Sequence, residues 1–257
     1  MTMLEIENHG AVREIRLARA PVNALGRELL ERFAAALDEA LELAEAGRGP
    51  RALVISGAPG MFSAGLDVRE VLGGEASVRA LVTAFFAVQS RLVRSPLPIV
   101  AAITGHCPAG GAVLSLLCDH RIMAEGSYRI GLNEVQVGLY PGEMIYRVFA
   151  RVVGAARAAA LLPRGVMLDP VGAREAGLID EIVPATQVVP RAIALAAELA
   201  ALPPLAYGRT RALARADLRA IFDTPTESFD ELLASGWVTD ETRERMLAVL
   251  AQGRSST

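Results

Sequence analysis

The chain predicts an α/β fold: a largely parallel sheet flanked by helices, followed by a helical C-terminal region. Three observations carry that expectation. Short, wholly apolar runs at Ala52–Ser56 and Ile99–Ile103 have the composition of strands covered on both faces. Segments of helical periodicity alternate with them, which is the pattern of a parallel sheet with crossover helices. From about Ala155 the strand signal nearly vanishes, and only Leu178–Val183 interrupts a series of helical segments. The dipeptide Pro203-Pro204 after Leu202 marks a boundary, with an α/β core over residues 1–200 and a helical region over 201–257.

Taken in order, Leu4–Asn8 and Val12–Ala18 read as two short strands joined at His9-Gly10. Leu29, Leu30, Phe33, Leu37 and Leu41 then recur at helical spacing as far as Gly47. The strand Ala52–Ser56 leads into a glycine-containing loop, and a helix over about Ser77–Arg94 carries Leu81, Phe85, Val88 and Leu92 on one face. Pro96 and Pro98 end that helix before the strand Ile99–Ile103. A glycine turn opens a helix at Gly110–Leu117. Strand-like segments follow near Arg121–Ala124 and Tyr128–Gly131, then a helix near Glu143–Val152. The C-terminal region holds helical segments at Pro190–Leu202, Tyr207–Phe222, Thr226–Ser235 and Asp240–Leu250, and a SerSerThr end expected to fray. No solenoid repeat or low-complexity linker is visible.

Composition excludes several functions. The 257 residues contain 26 basic and 29 acidic side chains, a formal net charge of −3 with no block of one sign, so neither nucleic acid nor an anionic membrane is indicated. All the basic residues are arginine. With no lysine, Schiff-base chemistry and the P-loop lysine are excluded. The start MTMLEIENHG lacks the basic and apolar regions of a signal peptide, and the apolar runs are interrupted before the length of a membrane span. The expectation is a soluble, cytoplasmic protein. Cys107 and Cys118 lie in apolar sequence and read as buried free thiols; His9, His106 and His120 show no metal-ligand spacing. Apolar residues make up 52% of the chain, a surplus that points to oligomer contacts.

The chemistry concentrates between Phe62 and Pro141. Two loops, Ser63–Asp67 and Gly105–Gly111, each follow a buried strand and leave the C-terminal edge of the predicted parallel sheet, where ligands bind. Their small residues would let backbone N–H groups approach a ligand and hold an enolate oxygen, with Gly110 near a helix N-terminus. Neither loop matches a dinucleotide or P-loop fingerprint, and no GxSxG elbow exists. Glu134, in Ile130-Gly131-Leu132-Asn133-Glu134-Val135, has few polar neighbours in sequence. Such a carboxylate is raised in pKa by desolvation and suits a base that must return its proton. The same residues taken singly are also compatible with ligand-free turns and an ion-paired acid at an element end.

Phe62-Ser63-Ala64-Gly65-Leu66-Asp67, Ala101-Ala102-Ile103-Thr104-Gly105, Ala109-Gly110-Gly111, Cys118-Asp119-His120-Arg121 and Ala173–Asp180 together resemble the enoyl-CoA hydratase/isomerase (crotonase) superfamily. The resemblance runs from about residue 4 to 250. Cys107–Gly111 and Ile130–Glu134 are most similar to the mitochondrial-type Δ3,Δ2-enoyl-CoA isomerases of fatty-acid β-oxidation. It implies a spiral of ββα units with a C-terminal helical region making trimer contacts, as a homotrimer or dimer of trimers. It implies an acyl-CoA thioester substrate with coenzyme A as its carrier, and no separate cofactor or metal. By position, the N–H groups of Ala64 and Gly110 would form the oxyanion hole. Ala64, Gly65, Leu66, Asp67 and Val68 would line the CoA and thioester path, Asn133 would sit beside the acyl group, and Glu134 would be the acid/base.

Val113 is the informative departure. Hydratases of the superfamily carry a second glutamate there, and valine can neither orient nor polarise water. Moving a double bond from C3 to C2 needs one base and an oxyanion hole, so a lone Glu134 fits isomerisation. Downstream, Gly142-Glu143-Met144-Ile145 replaces a glycine-rich run, which alters the acyl pocket wall. Glu143 reads either as a charge at a helix N-terminus or as a second acid in the pocket. The alternatives carried forward are hydration or thioester hydrolysis, and an inactive acyl-CoA-binding paralogue.

Overall fold

The computed structural model describes residues 2–224, 228–234 and 237–254. Its main sheet has six strands in the order β1-β2-β3-β5-β7-β9. β1 (Leu4–His9) pairs antiparallel with β2 (Val12–Leu17), and every other pair is parallel, through β3 (Ala52–Ser56), β5 (Ile99–Ile103), β7 (His120–Ala124) and β9 (Glu181–Val183). A second, three-stranded parallel sheet is built from β4 (Gly60–Met61), β6 (Gly105–Pro108) and β8 (Ile130–Gly131).

The two sheets come from one repeated path. β3 continues into β4, β5 into β6, and β7 into β8, and each pair is followed by helix. The helices are α2 (Val68–Val71) with α3 (Glu75–Arg94), then α4 (Gly110–Leu116), then α5 (Glu143–Val153). This is the expected spiral of ββα turns. No sequence repeat announces it, because the second strand of each turn is only two to four residues long.

Strand periodicity explains how both faces are covered. On β3, Leu53 and Ile55 join the core formed with α1 (Arg27–Glu45) and α3, while Ala52 and Val54 face the other way. Val100 and Ala102 of β5 and Ile122 and Ala124 of β7 share that second face. They meet Val188, Ala192, Ala196 and Ala200 of α8 (Val188–Ala201), an alanine stripe that lets the helix lie close to the sheet. Among the described residues α3 is the one helix long and apolar enough to cross a membrane, which the sequence expectation did not register. Its Leu81, Val88 and Leu92 are fully buried in this core.

Short helices α6 (Ala155–Leu161) and α7 (Pro170–Glu175) precede β9 and α8. The segment expected as one helix over Tyr207–Phe222 is two, α9 (Pro204–Ala214) and α10 (Ala216–Asp223). Arg215 at the junction is buried, and its guanidinium donates to the carbonyls of Leu92 and Leu117 and to Asp119. Leu218, Ile221, Trp237 and Met246 enter the same core as α1 and α3, so the boundary near residue 200 separates helical from α/β structure but not two cores. The chain ends in α11 (Phe229–Ala234) and α12 (Asp240–Arg254). Thr226, Ser235 and the SerSerThr end lie outside the described residues.

Candidate active site

The functional segments leave the C-terminal edge of the small sheet, not of the main one. β4 runs into Ala64–Leu66, β6 into Ala109-Gly110 and β8 into Asn133-Glu134. Three successive turns of the spiral therefore deliver their loops to one place. They bound a cavity of about 710 Å³ whose lining includes Ala64, Leu66, Val68, Gly110, Val113, Asn133 and Glu134.

The segment leading from Ala64 into the first residue of α2, Val68, alternates in what it presents to the cavity. Ala64, Leu66 and Val68 line the cavity; Gly65 and Asp67 do not. Asp67 turns inward to structure: its carboxylate pairs with Arg19 at 2.5 Å and accepts from the Arg69 N–H, capping α2. Gly65 has φ +88°, and a β-carbon there would lie 3.1 Å from the Gly110 nitrogen and 3.0 Å from the Ala109 β-carbon. Only glycine permits that approach of the two loops.

This geometry corrects one assignment. The Ala64 N–H donates to the Val22 carbonyl at 3.0 Å and is therefore engaged. Leu66 is the residue bracketed by a parallel bridge to Leu25, in which Leu25 donates to Gly65 O and Asp67 donates to Leu25 O. In such a bridge the central residue's own N–H points away from its partner. The Leu66 N–H makes no hydrogen bond among the described residues and faces Gly110, whose β-carbon position lies 3.4 Å from the Leu66 nitrogen. The Gly110 N–H, first in α4, is likewise unengaged. Leu66 and Gly110 each offer the cavity a free backbone donor. Ala109 precedes Gly110 at φ 47°, a conformation that L residues rarely adopt, held by its N–H on the Gly131 carbonyl at 2.9 Å.

Glu134 opens a short 3-10 turn over Glu134–Val137. Its Oε2 is buried without a hydrogen-bond partner among the described residues. Burial pushes the carboxyl up from 4.5 to about 7, against a smaller lowering by its own backbone N–H. The turn is fixed from the C-terminal region: Thr242 Oγ1 donates to the Gly138 carbonyl at 2.8 Å and Trp237 Nε1 to the Tyr140 carbonyl at 2.6 Å. Trp237 and Met246 also line the cavity. Neither was singled out from sequence, where nothing local ties them to Glu134. Val113 is buried in the lining and places an isopropyl group on the wall that Glu134 shares. Glu143 satisfies both of its readings, since it begins α5 and also lines the cavity.

The remaining candidates are inert. Cys107 and Cys118 are buried free thiols; burial raises Cys107 well above the usual thiol range and Cys118 to about 12. His106 and Cys107 alternate on β6 and do not pair. Glu7, His9 and Glu14 come together on the β1–β2 hairpin, a grouping the sequence spacing did not reveal. None of the three lines the cavity.

This two-sheet spiral brings two unengaged backbone N–H groups and a desolvated acid to one cavity, and the chain belongs to the enoyl-CoA hydratase/isomerase family, whose profile matches residues 7–248. Among individual relatives, it is 34% identical over 215 residues to mitochondrial enoyl-CoA delta isomerase 1 of Homo sapiens, covering 83% of this chain and 70% of that protein. A probable enoyl-CoA hydratase of Rhizobium meliloti is 27% identical over 253 residues, covering 98% and 96%. The crystal structure of human mitochondrial delta3-delta2-enoyl-CoA isomerase superposes with a TM-score of 0.89 over 100% of both chains, at 28% identity.

Proposed function

We propose that this enzyme shifts the double bond of 3-cis- or 3-trans-enoyl-CoA to give 2-trans-enoyl-CoA. The thioester oxygen sits between the N–H groups of Leu66 and Gly110. The Glu134 carboxylate removes a proton from C2, and the electron pair moves into a dienolate whose charge rests on that oxygen. The same carboxylic acid then delivers its proton to C4, leaving the double bond between C2 and C3. A base that becomes the acid of the next step works best with a pKa near the operating pH, as burial provides for Glu134. The carrying observation is that Glu134 stands without a second acid at Val113, where hydration would need one.

One observation favours a second reading. Glu143 also lines the cavity, and a second carboxylate there is suited to activating water for hydration or thioester hydrolysis. Incubation with 3-hexenoyl-CoA and, separately, 2-hexenoyl-CoA, with chromatographic separation of products, decides between them. Double-bond migration as the dominant reaction supports the isomerase. Hydration or CoA release exceeding migration, and lost in Glu143→Gln, supports the alternative. Binding without any turnover would indicate an acyl-CoA-binding paralogue.

A further inference from the structure

The wall of the cavity formed by α3 carries a polar group that the reaction does not use. Val82, Thr83, Phe85, Phe86 and Gln89 line the cavity from α3; of the two polar residues Thr83 is exposed and Gln89 is buried. Three are apolar, as an acyl chain requires. Gln89 is 3% exposed, yet its Oε1 is buried with no partner among the described residues. A buried carboxamide left unpaired is destabilising, whereas leucine or methionine would fill similar volume without that penalty.

On the isomerase reading above, we propose that this cavity takes acyl-CoA substrates bearing a hydroxyl group remote from the migrating double bond, with the Gln89 carboxamide as its partner. A hydroxyl both donates and accepts, so it satisfies the amide whichever way the amide faces. A carboxylate on the chain fits less well. The charged side chains in the lining are Glu134, Glu143 and Arg147, which give no net positive charge to hold it. Gln89 is thus a specificity-determining residue, separate from the proton shuttle.

The test is calorimetric binding of saturated acyl-CoAs, which cannot react, so recognition is read apart from catalysis. Six-, eight- and ten-carbon chains are compared plain and with a hydroxyl at C6, C8 or C10 where the chain allows. The proposal expects at least tenfold tighter binding of one hydroxylated chain over its plain parent. It also expects that preference to invert in Gln89→Leu, with Gln89→Met as a second variant in case leucine prevents folding. Absence of preference in the wild type at every hydroxyl position overturns it, as does a preference that survives in a folded variant. A hydroxyl preference without turnover of 3-hexenoyl-CoA would refute the isomerase reading alone. Turnover without a preference would refute this proposal alone.

Discussion

Glu134 is held in a site that disfavours its charge, and both activity and stability should report it. The unfolded carboxyl ionises near 4.5 and the folded one near 7. Between those values the folded state binds the proton more tightly, so the Glu134 contribution to stability falls as pH rises through that window. It is fully favourable below 4.5 and lost above 7. We therefore expect Glu134→Gln to be more stable than the wild type at pH 8, by roughly 1–3 kcal/mol, with the gain vanishing by pH 4. Urea unfolding at the two pH values checks this, and equal stabilities at pH 8 would contradict the burial. Catalysis has the opposite sign: kcat/KM should rise with pH through about 7 as the base is uncovered. Glu134 and Gly110 were legible from sequence because each has a distinctive local setting. Leu66 was not, since its free N–H depends on a bridge to Leu25, 41 residues earlier.

At the scale of elements, the long strands and helices follow from periodicity, while the short strands β4, β6 and β8 do not. Two to four residues carry no period, and Gly105–Pro108 reads locally as a turn. Yet these strands move the loops from the main sheet to the site. The Asp119 cluster is another feature that sequence marked without explaining. Its carboxylate accepts from the Ile99 N–H at 2.7 Å, from Arg211 Nε and Nη2 at 2.9 and 2.8 Å, and from Arg215 Nη1 at 3.2 Å. Arg211 also donates to the Ser95 carbonyl. One acid thereby ties β5 and the end of α3 to the α9–α10 junction. Removing one partner leaves buried guanidinium groups uncompensated, so Asp119→Asn should cost about 3–5 kcal/mol. Urea unfolding measures it, and a loss under about 1 kcal/mol would show that the cluster is dispensable.

For the whole molecule, the C-terminal helical region closes the site that the spiral builds. Residues from Trp237 to Met246 pin the Glu134 turn and line the cavity. Composition signalled helices there but not this docking, because the contacts link residues about a hundred positions apart. The same region leaves Leu205 and Leu213 of α9 exposed, at 67% and 79%. The expectation of a homotrimer assigns such apolar surface to contacts between copies. Sedimentation equilibrium should give a trimer or its dimer, shifted toward monomer in Leu205→Glu/Leu213→Glu; a monomeric wild type at micromolar concentration would contradict it. In the proposed reaction one carboxyl both takes and returns the proton. The most direct measurement is turnover of 3-hexenoyl-CoA by Glu134→Gln, alongside its affinity for hexanoyl-CoA. The expected result is a rate reduced by several orders of magnitude with binding nearly unchanged. Retention of more than about a tenth of the wild-type rate, a loss of only about 1.4 kcal/mol in the barrier, would contradict it.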